Sequence, residues 1–251
     1  MKLIQPYELA AGNLADGIAA AALLGLIILT ASYLNSRRGK DPDIYLPLLA
    51  WQRAGLYFCA GLILSWSLGV LQNLLAAPLI TGEQLASLPW IAYTLFYLVV
   101  LWVGYMIYWP KGTFTDGRRA HPLITSAYGI AWGLCHGQVF LSAWALAEMT
   151  GLNAYWVAAI TYLMLSGYNF AFHQFFWDIK VSPPHNYAAW NMKKVQYCHA
   201  PNLLLGLAWL AIWGNFGLWL LLQTACLLAS VHAMRFPAWY DDYSAVAGET
   251  R

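Results

Sequence analysis

Seven times along its 251 residues this chain runs through a predominantly apolar stretch of about 20 residues, the length a helix needs to cross about 30 Å of hydrocarbon. The windows fall at 17–34, 53–75, 87–109, 123–147, 153–177, 195–213 and 216–236. Lipid offers backbone groups no hydrogen bonds, so runs of this length are expected as helices, and the predicted fold is all-α: a polytopic membrane protein with seven transmembrane helices in one domain. Gly214-Asn215, alone between the last two windows, predicts a tight antiparallel hairpin. Pro201 near the start of the sixth fits the first helical turn, where amides have no intrahelical partner.

Composition agrees: 61% of residues are hydrophobic and 10% charged, with a mean hydropathy of +0.53, against about 25% charged residues in a soluble domain. The net charge of +2 comes from scattered basic residues, so nucleic acid is not an expected partner. Membrane lipids and a lipophilic small molecule are, while protein partners are left open. Cys59, Cys135, Cys198 and Cys226 show no CxxC spacing and sit mostly in apolar runs, so no disulfide is predicted.

The junctions alternate in charge. Arg37, Arg38, Lys40 and Arg53, then Lys111, Arg118 and Arg119, then Lys180, Lys193 and Lys194, then Arg235 and Arg251 occupy every second junction, leaving Lys2 on the other side. The positive-inside rule then predicts an N-out, C-in chain in a bacterial inner membrane or its equivalent. The positive residues near the first window follow it, so that window is expected to stay as an anchor. Glu148, Asp16 and Asn73 read as interfacial, and Asp241 and Asp242 as a solvated tail.

Ionisable groups inside hydrocarbon are costly and mark function, and five histidines fall in or beside these windows: His136, His173, His185, His199 and His232. His136 lies mid-window in Cys135-His136-Gly137-Gln138. Asn169 and His173 share a face one helical turn apart, as do His199 and Asn202. His232 lies one turn from the end of the last window. A histidine near a helix end also snorkels or bonds a carbonyl, and that reading stays open for His199 and His232. The connection 177–195 holds Pro183, Pro184 and several aromatics, which predicts a cytoplasmic segment folded over the bundle mouth, as a lid or as an interfacial re-entrant.

Tyr168-Asn169-Phe170-Ala171-Phe172-His173-Gln174-Phe175-Phe176, followed by Trp190-Asn191-Met192-Lys193-Lys194-Val195 and then His199, resembles cycloeucalenol cycloisomerase, a multi-pass sterol isomerase family that opens a 9,19-cyclopropane ring. The family pattern has an Asn shortly before His-x-Phe-Phe, an aromatic, proline-bearing loop, Trp-x-Met-Asn-Asn-Val-Pro, and another His. His173, Phe175, Phe176, Trp190, Met192 and Val195 match. Lys193 and Lys194 replace the paired asparagines, Gln196 replaces the proline, and the loop is about two residues longer. The resemblance covers about 30 residues and implies acid–base isomerisation of a sterol or isoprenoid lipid.

Such chemistry needs an acid and a base of matched pKa and no cofactor, and histidine can serve either role. His173 is the expected proton donor, helped by Asp178 or Asn169, with His136 or His199 as acceptor. Trp132, Tyr168, Phe172, Trp177 and Trp190 are expected to line the substrate and stabilise a cation, with Met192, Asn202 and His232 as further contacts. Two other classes remain. Histidines on separate helices can ligate haem or a metal pair, although no HxxH, ExxH or CxxCH is present. A lipid carrier or a subunit of a membrane complex is the other, although no internal repeat is visible. A membrane-embedded terpene cyclase would share the protonation chemistry.

Overall fold

The computed structural model describes residues 13–38, 47–110, 119–175, 195–235 and 238–241, and among them every regular element is helical. Helix α1 spans Leu14–Arg38, α2 Pro47–Ser67, α3 Val70–Ala76, α4 Gly82–Leu85, α5 Leu88–Trp102, α6 Pro122–Glu148, α7 Ala154–Phe175, α8 Ala200–Trp213 and α9 Phe216–Ala233. Two π-helical segments, Val103–Tyr108 and Val195–His199, continue α5 and precede α8.

Helix thus occupies each of the seven apolar windows. Among the described residues, three helical stretches are long and apolar enough to cross a membrane: Leu88–Tyr108, Pro122–Glu148 and Phe216–Ala233. A fourth is added if α2 and α3 count as one span, but these two are bent by 75°. The window 53–75 therefore holds a broken helix. The break falls at Leu68-Gly69, where Gly69 takes φ 76°, a left-handed conformation that suits a residue without Cβ.

Local chemistry sets the helix ends. Thr81 and Gln84 form a reciprocal capping box at α4. The Ser87 hydroxyl accepts from the Trp90 amide at the start of α5, and the Asn153 side chain accepts from the Tyr155 and Trp156 amides at α7. Gly214 ends α8 at φ 66°, and Asn215 opens α9 immediately after it.

Helix α6 is the hub, with α2, α7 and α9 packed around it. Its membrane window is 78% buried, against 33% for Leu88–Tyr108 and 39% for α9. Gly129, Gly133 and Gly137 face α9 at four-residue intervals, where an added Cβ would lie 2.8 Å from the Leu228 Cα, 2.6 Å from the Thr224 Cα and 2.2 Å from the Leu220 Cδ1 respectively. Small residues of this spacing let two helix backbones approach closely, which matters in lipid because apolar burial alone does not draw helices together there. Outward-facing Leu95, Phe96, Val99 and Trp102 of α5 remain exposed, as expected of a lipid-covered face.

The bundle has two distinct ends. At one, Trp51 of α2 meets Trp239 edge-on (centroids 5.2 Å apart) and His121 before α6 pairs with Asp241 at 3.0 Å. Asp241 also accepts from the Ala238 amide. The expectation of a solvated tail at Asp241 is therefore corrected: its carboxylate bridges the chain after α9 to His121 at the start of α6. At the other end, Asn215 accepts from Gln84 Nε2 and Trp90 Nε1 and donates to the Leu79 carbonyl, clamping the α8–α9 turn to the α3–α5 connection.

Candidate functional site

His136 stands midway along α6, buried at 6% exposure. Its ring tilts against Phe140 with centroids 4.1 Å apart. Phe140 lies edge-on to Tyr168 of α7 at 6.3 Å, and Tyr168 stacks parallel to Tyr57 of α2 at 6.2 Å. Tyr57 in turn contacts Trp132, one turn before His136 on α6, at 5.4 Å. Rings from three helices thus form a run of contacts that reaches the His136 imidazole through Phe140. Such surroundings favour a nearby cation electrostatically when water is excluded.

Phe140 also reaches Trp219 of α9 at 5.9 Å, and there a polar layer begins. Trp219 Nε1 donates to the Tyr97 hydroxyl at 3.0 Å, and Tyr97 donates to Asn202 Oδ1 at 2.6 Å. Asn202 and Gln223 form a two-bond amide pair: Asn202 Nδ2 donates to Gln223 Oε1 at 2.8 Å and Gln223 Nε2 donates to Asn202 Oδ1 at 2.7 Å. Asn202 Nδ2 donates in addition to the Tyr105 hydroxyl at 2.9 Å. Gly206 admits this layer, because a Cβ there would sit 2.5 Å from the Tyr97 oxygen and 2.7 Å from Trp219 Nε1.

His199 lies one turn before Asn202, at the end of the second π segment. It is 6% exposed and edge-on to Trp109 at 4.6 Å. The two π segments meet here. An added Cβ at Gly104 would lie 3.1 Å from the Tyr197 carbonyl oxygen, and Cys198 Sγ donates to the Gly104 carbonyl at 2.9 Å. Ser230 donates to the Tyr105 carbonyl at 2.8 Å. Side chains thus support backbone that a regular helical ladder would otherwise occupy, and π turns of this kind recur at functional sites.

Of the residues singled out from sequence, His136, Trp132 and Tyr168 share one aromatic group, and His199 and Asn202 share the adjoining polar layer. Asn202 needs correction: both acceptor lone pairs and both donor hydrogens of its amide are used by Tyr97, Tyr105 and Gln223, so it braces helices instead of meeting a substrate. His232 also stands apart from the expected substrate contacts, exposed and 2.8 Å from the Ser126 hydroxyl. Asn169, Phe172 and His173 belong to the α7 backbone, and their side chains lie outside the described residues. So do Trp177, Asp178, His185, Trp190 and Met192, and with them the connection 177–195.

Tyr57, Phe140, Tyr97, Tyr105, Trp219 and Gln223 were not anticipated. Gln223 carried a signal, being an amide amid apolar neighbours in the last window, and polar groups at that depth seek partners on other helices. Among the described residues no group of three or more His, Cys, Asp or Glu side chains forms a metal-ligand set.

The fold and this interior define a class: a helical protein with helices long and apolar enough to cross a membrane, whose core holds histidine beside aromatic rings and a buried amide–phenol network. No family model, curated protein or solved structure matches the chain.

Proposed function

We propose that this chain is a membrane-embedded isomerase that moves protons on a sterol or isoprenoid lipid, opening a cyclopropane or shifting a double bond. The observation that carries the reading is His136: an imidazole buried mid-helix against Phe140, within a group of rings that includes Tyr57, Trp132 and Tyr168. Lipid-soluble substrates reach such a place through the bilayer, and buried titratable groups seldom persist there without use.

In this reading an imidazolium donates its proton to a substrate carbon, leaving a short-lived carbocation, and a neutral imidazole removes a proton from the adjoining carbon. Product and substrate are isomers, so no electrons are exchanged. His173 is the proposed donor, with Asp178 or Asn169 beside it, and His136 or His199 the acceptor. Faces such as Trp132 and Tyr168 would each lower the energy of the cation by about 0.5–2 kcal/mol in a dry site. The resemblance to cycloeucalenol cycloisomerase over about 30 residues supports the same chemistry, and the lysines at 193 and 194 suit a substrate different from that family's.

The proposal includes seven spans with the carboxyl terminus on the cytoplasmic side of a cell membrane. In support, Trp51, His121, Trp239 and Asp241 meet at one end of the bundle, close in sequence to Arg53, Arg119 and Arg235, whereas the charged residues close in sequence to the elements of the other end, Asp16, Glu83 and Glu148, are all acidic.

The test uses purified protein in lipid nanodiscs supplied with a 9,19-cyclopropyl sterol and with linear and cyclic isoprenoids, products being read by gas chromatography and mass spectrometry. His173→Ala and His136→Ala are each expected to lower turnover by about 10²–10⁴-fold, the range of a lost general acid or base. Full turnover by His173→Ala, or a Soret band in the purified protein, overturns the proposal.

A further inference from the structure

We infer that the connection from α3 through α4 is a lipid-facing platform, resting in the headgroup–acyl boundary of the leaflet opposite the basic junctions. The inference needs only that α2 and α5 meet lipid. It stands independently of any chemistry at His136.

The first argument is direction. The chain turns by 75° between α2 and α3. A helix that leaves a crossing segment at this angle runs along a membrane surface and adds no second crossing. The second is that the platform is fixed to the bundle on one side. Leu68, Val70 and Leu74 are buried, and Gln84, itself 2% exposed, pairs with Asn215, which also donates to the Leu79 carbonyl. The third is what remains outside. Leu75 is 81% exposed and Leu88 75%, with Trp66, Leu79, Ile80 and Leu85 exposed between and beside them.

A water-facing loop of this make-up would present an apolar patch of the kind soluble surfaces avoid. From residue 54 to residue 110 the only charged side chain is that of Glu83, so a single charge, with Ser67 and Gln72, is what this segment offers to solvent. Apolar exposure is found as well on the two helices that flank the platform, at Ile63 of α2 on one side and Leu95 of α5 on the other. Lipid is therefore the occupant that the platform shares with these two helices. Trp66 at the corner has the amphipathic ring favoured at the membrane–water boundary. Such a platform shares the physics of in-plane amphipathic helices, although it is held by neighbouring helices as well as by its own apolar area.

The experiment places the photoreactive residue p-benzoylphenylalanine at Leu75 or at Leu79 of the full chain in vesicles of phosphatidylcholine and phosphatidylglycerol. A third variant carries it at Leu95 as a lipid-facing reference. After irradiation, mass spectrometry is expected to find lipid adducts at 75 and 79 within about threefold of the yield at 95, as for any side chain in contact with acyl chains. Predominant protomer–protomer cross-links would identify a second copy of the chain as the occupant and overturn the inference, as would adduct yields below about a tenth of the reference. Hydroxyl-radical footprinting of the unaltered protein in the same vesicles provides a check that needs no substitution. Leu75, Leu79 and Leu85 should escape oxidation, and strong labelling of these three would refute the platform.

Discussion

The amide pair between Asn202 and Gln223 makes a quantitative prediction. Asn202 makes four hydrogen bonds, to Tyr97, to Tyr105 and twice to Gln223. Gln223 makes three, the two shared with Asn202 and one to the Tyr97 hydroxyl at 3.0 Å. At about 0.6 kcal/mol per interhelical side-chain bond in a bilayer, Asn202→Leu should cost about 2.4 kcal/mol and Gln223→Leu about 1.8 kcal/mol. The two shared bonds are lost in either variant, so the double variant should cost about 3 kcal/mol, leaving a coupling of about 1.2 kcal/mol. Reversible unfolding in mixed lipid–detergent micelles, followed through the fluorescence of the 14 tryptophans, measures all three. Additivity of the single costs within about 0.3–0.5 kcal/mol would show that the two amides do not act as a pair and would refute the assignment of Asn202 to bracing.

Gly133→Ala should destabilise the bundle by about 1–3 kcal/mol in the same assay, because its methyl would meet the Thr224 Cα at 2.6 Å and backbone cannot step aside. Gly217→Ala, which meets only the movable Leu79 Cδ2 at 2.7 Å, should be nearly neutral, and equal costs at the two sites would count against close packing of α6 on α9. Asp241→Asn should change global stability by no more than about 1 kcal/mol, since partly exposed ion pairs contribute little. It should nevertheless speed hydrogen exchange at Ala238, whose amide donates to that carboxylate; unchanged exchange would contradict the clasp.

How much of this was legible in the sequence differs by scale. Helix content followed from window length and apolar composition, because a chain in lipid has few other ways to satisfy its backbone. The break at Leu68-Gly69 inside the window 53–75 was not foreseen, since hydropathy averages over a glycine and carries no direction. The triplet Gly129, Gly133 and Gly137 is a small-residue repeat in the sequence, but its spacing alone does not say which helix it meets. Polarity inside an apolar window was readable, so His136 could be singled out. Partnership was not. Asn202 finds its partners in Tyr97, Tyr105 and Gln223, which lie 105, 97 and 21 residues away in sequence, and whether an amide faces a ligand or a neighbouring helix depends on rotations that no single window encodes.

The near-complete enclosure of α6 bears on how this protein is made. A segment walled off from lipid need not be greasy enough to leave the translocon unaided, and α6 is the least apolar of the three long candidate spans, carrying His136, Gln138 and Ser142. Its principal neighbour, α9, emerges from the ribosome some 70 residues later. The packing of the hub is therefore complete only once that later helix has been made.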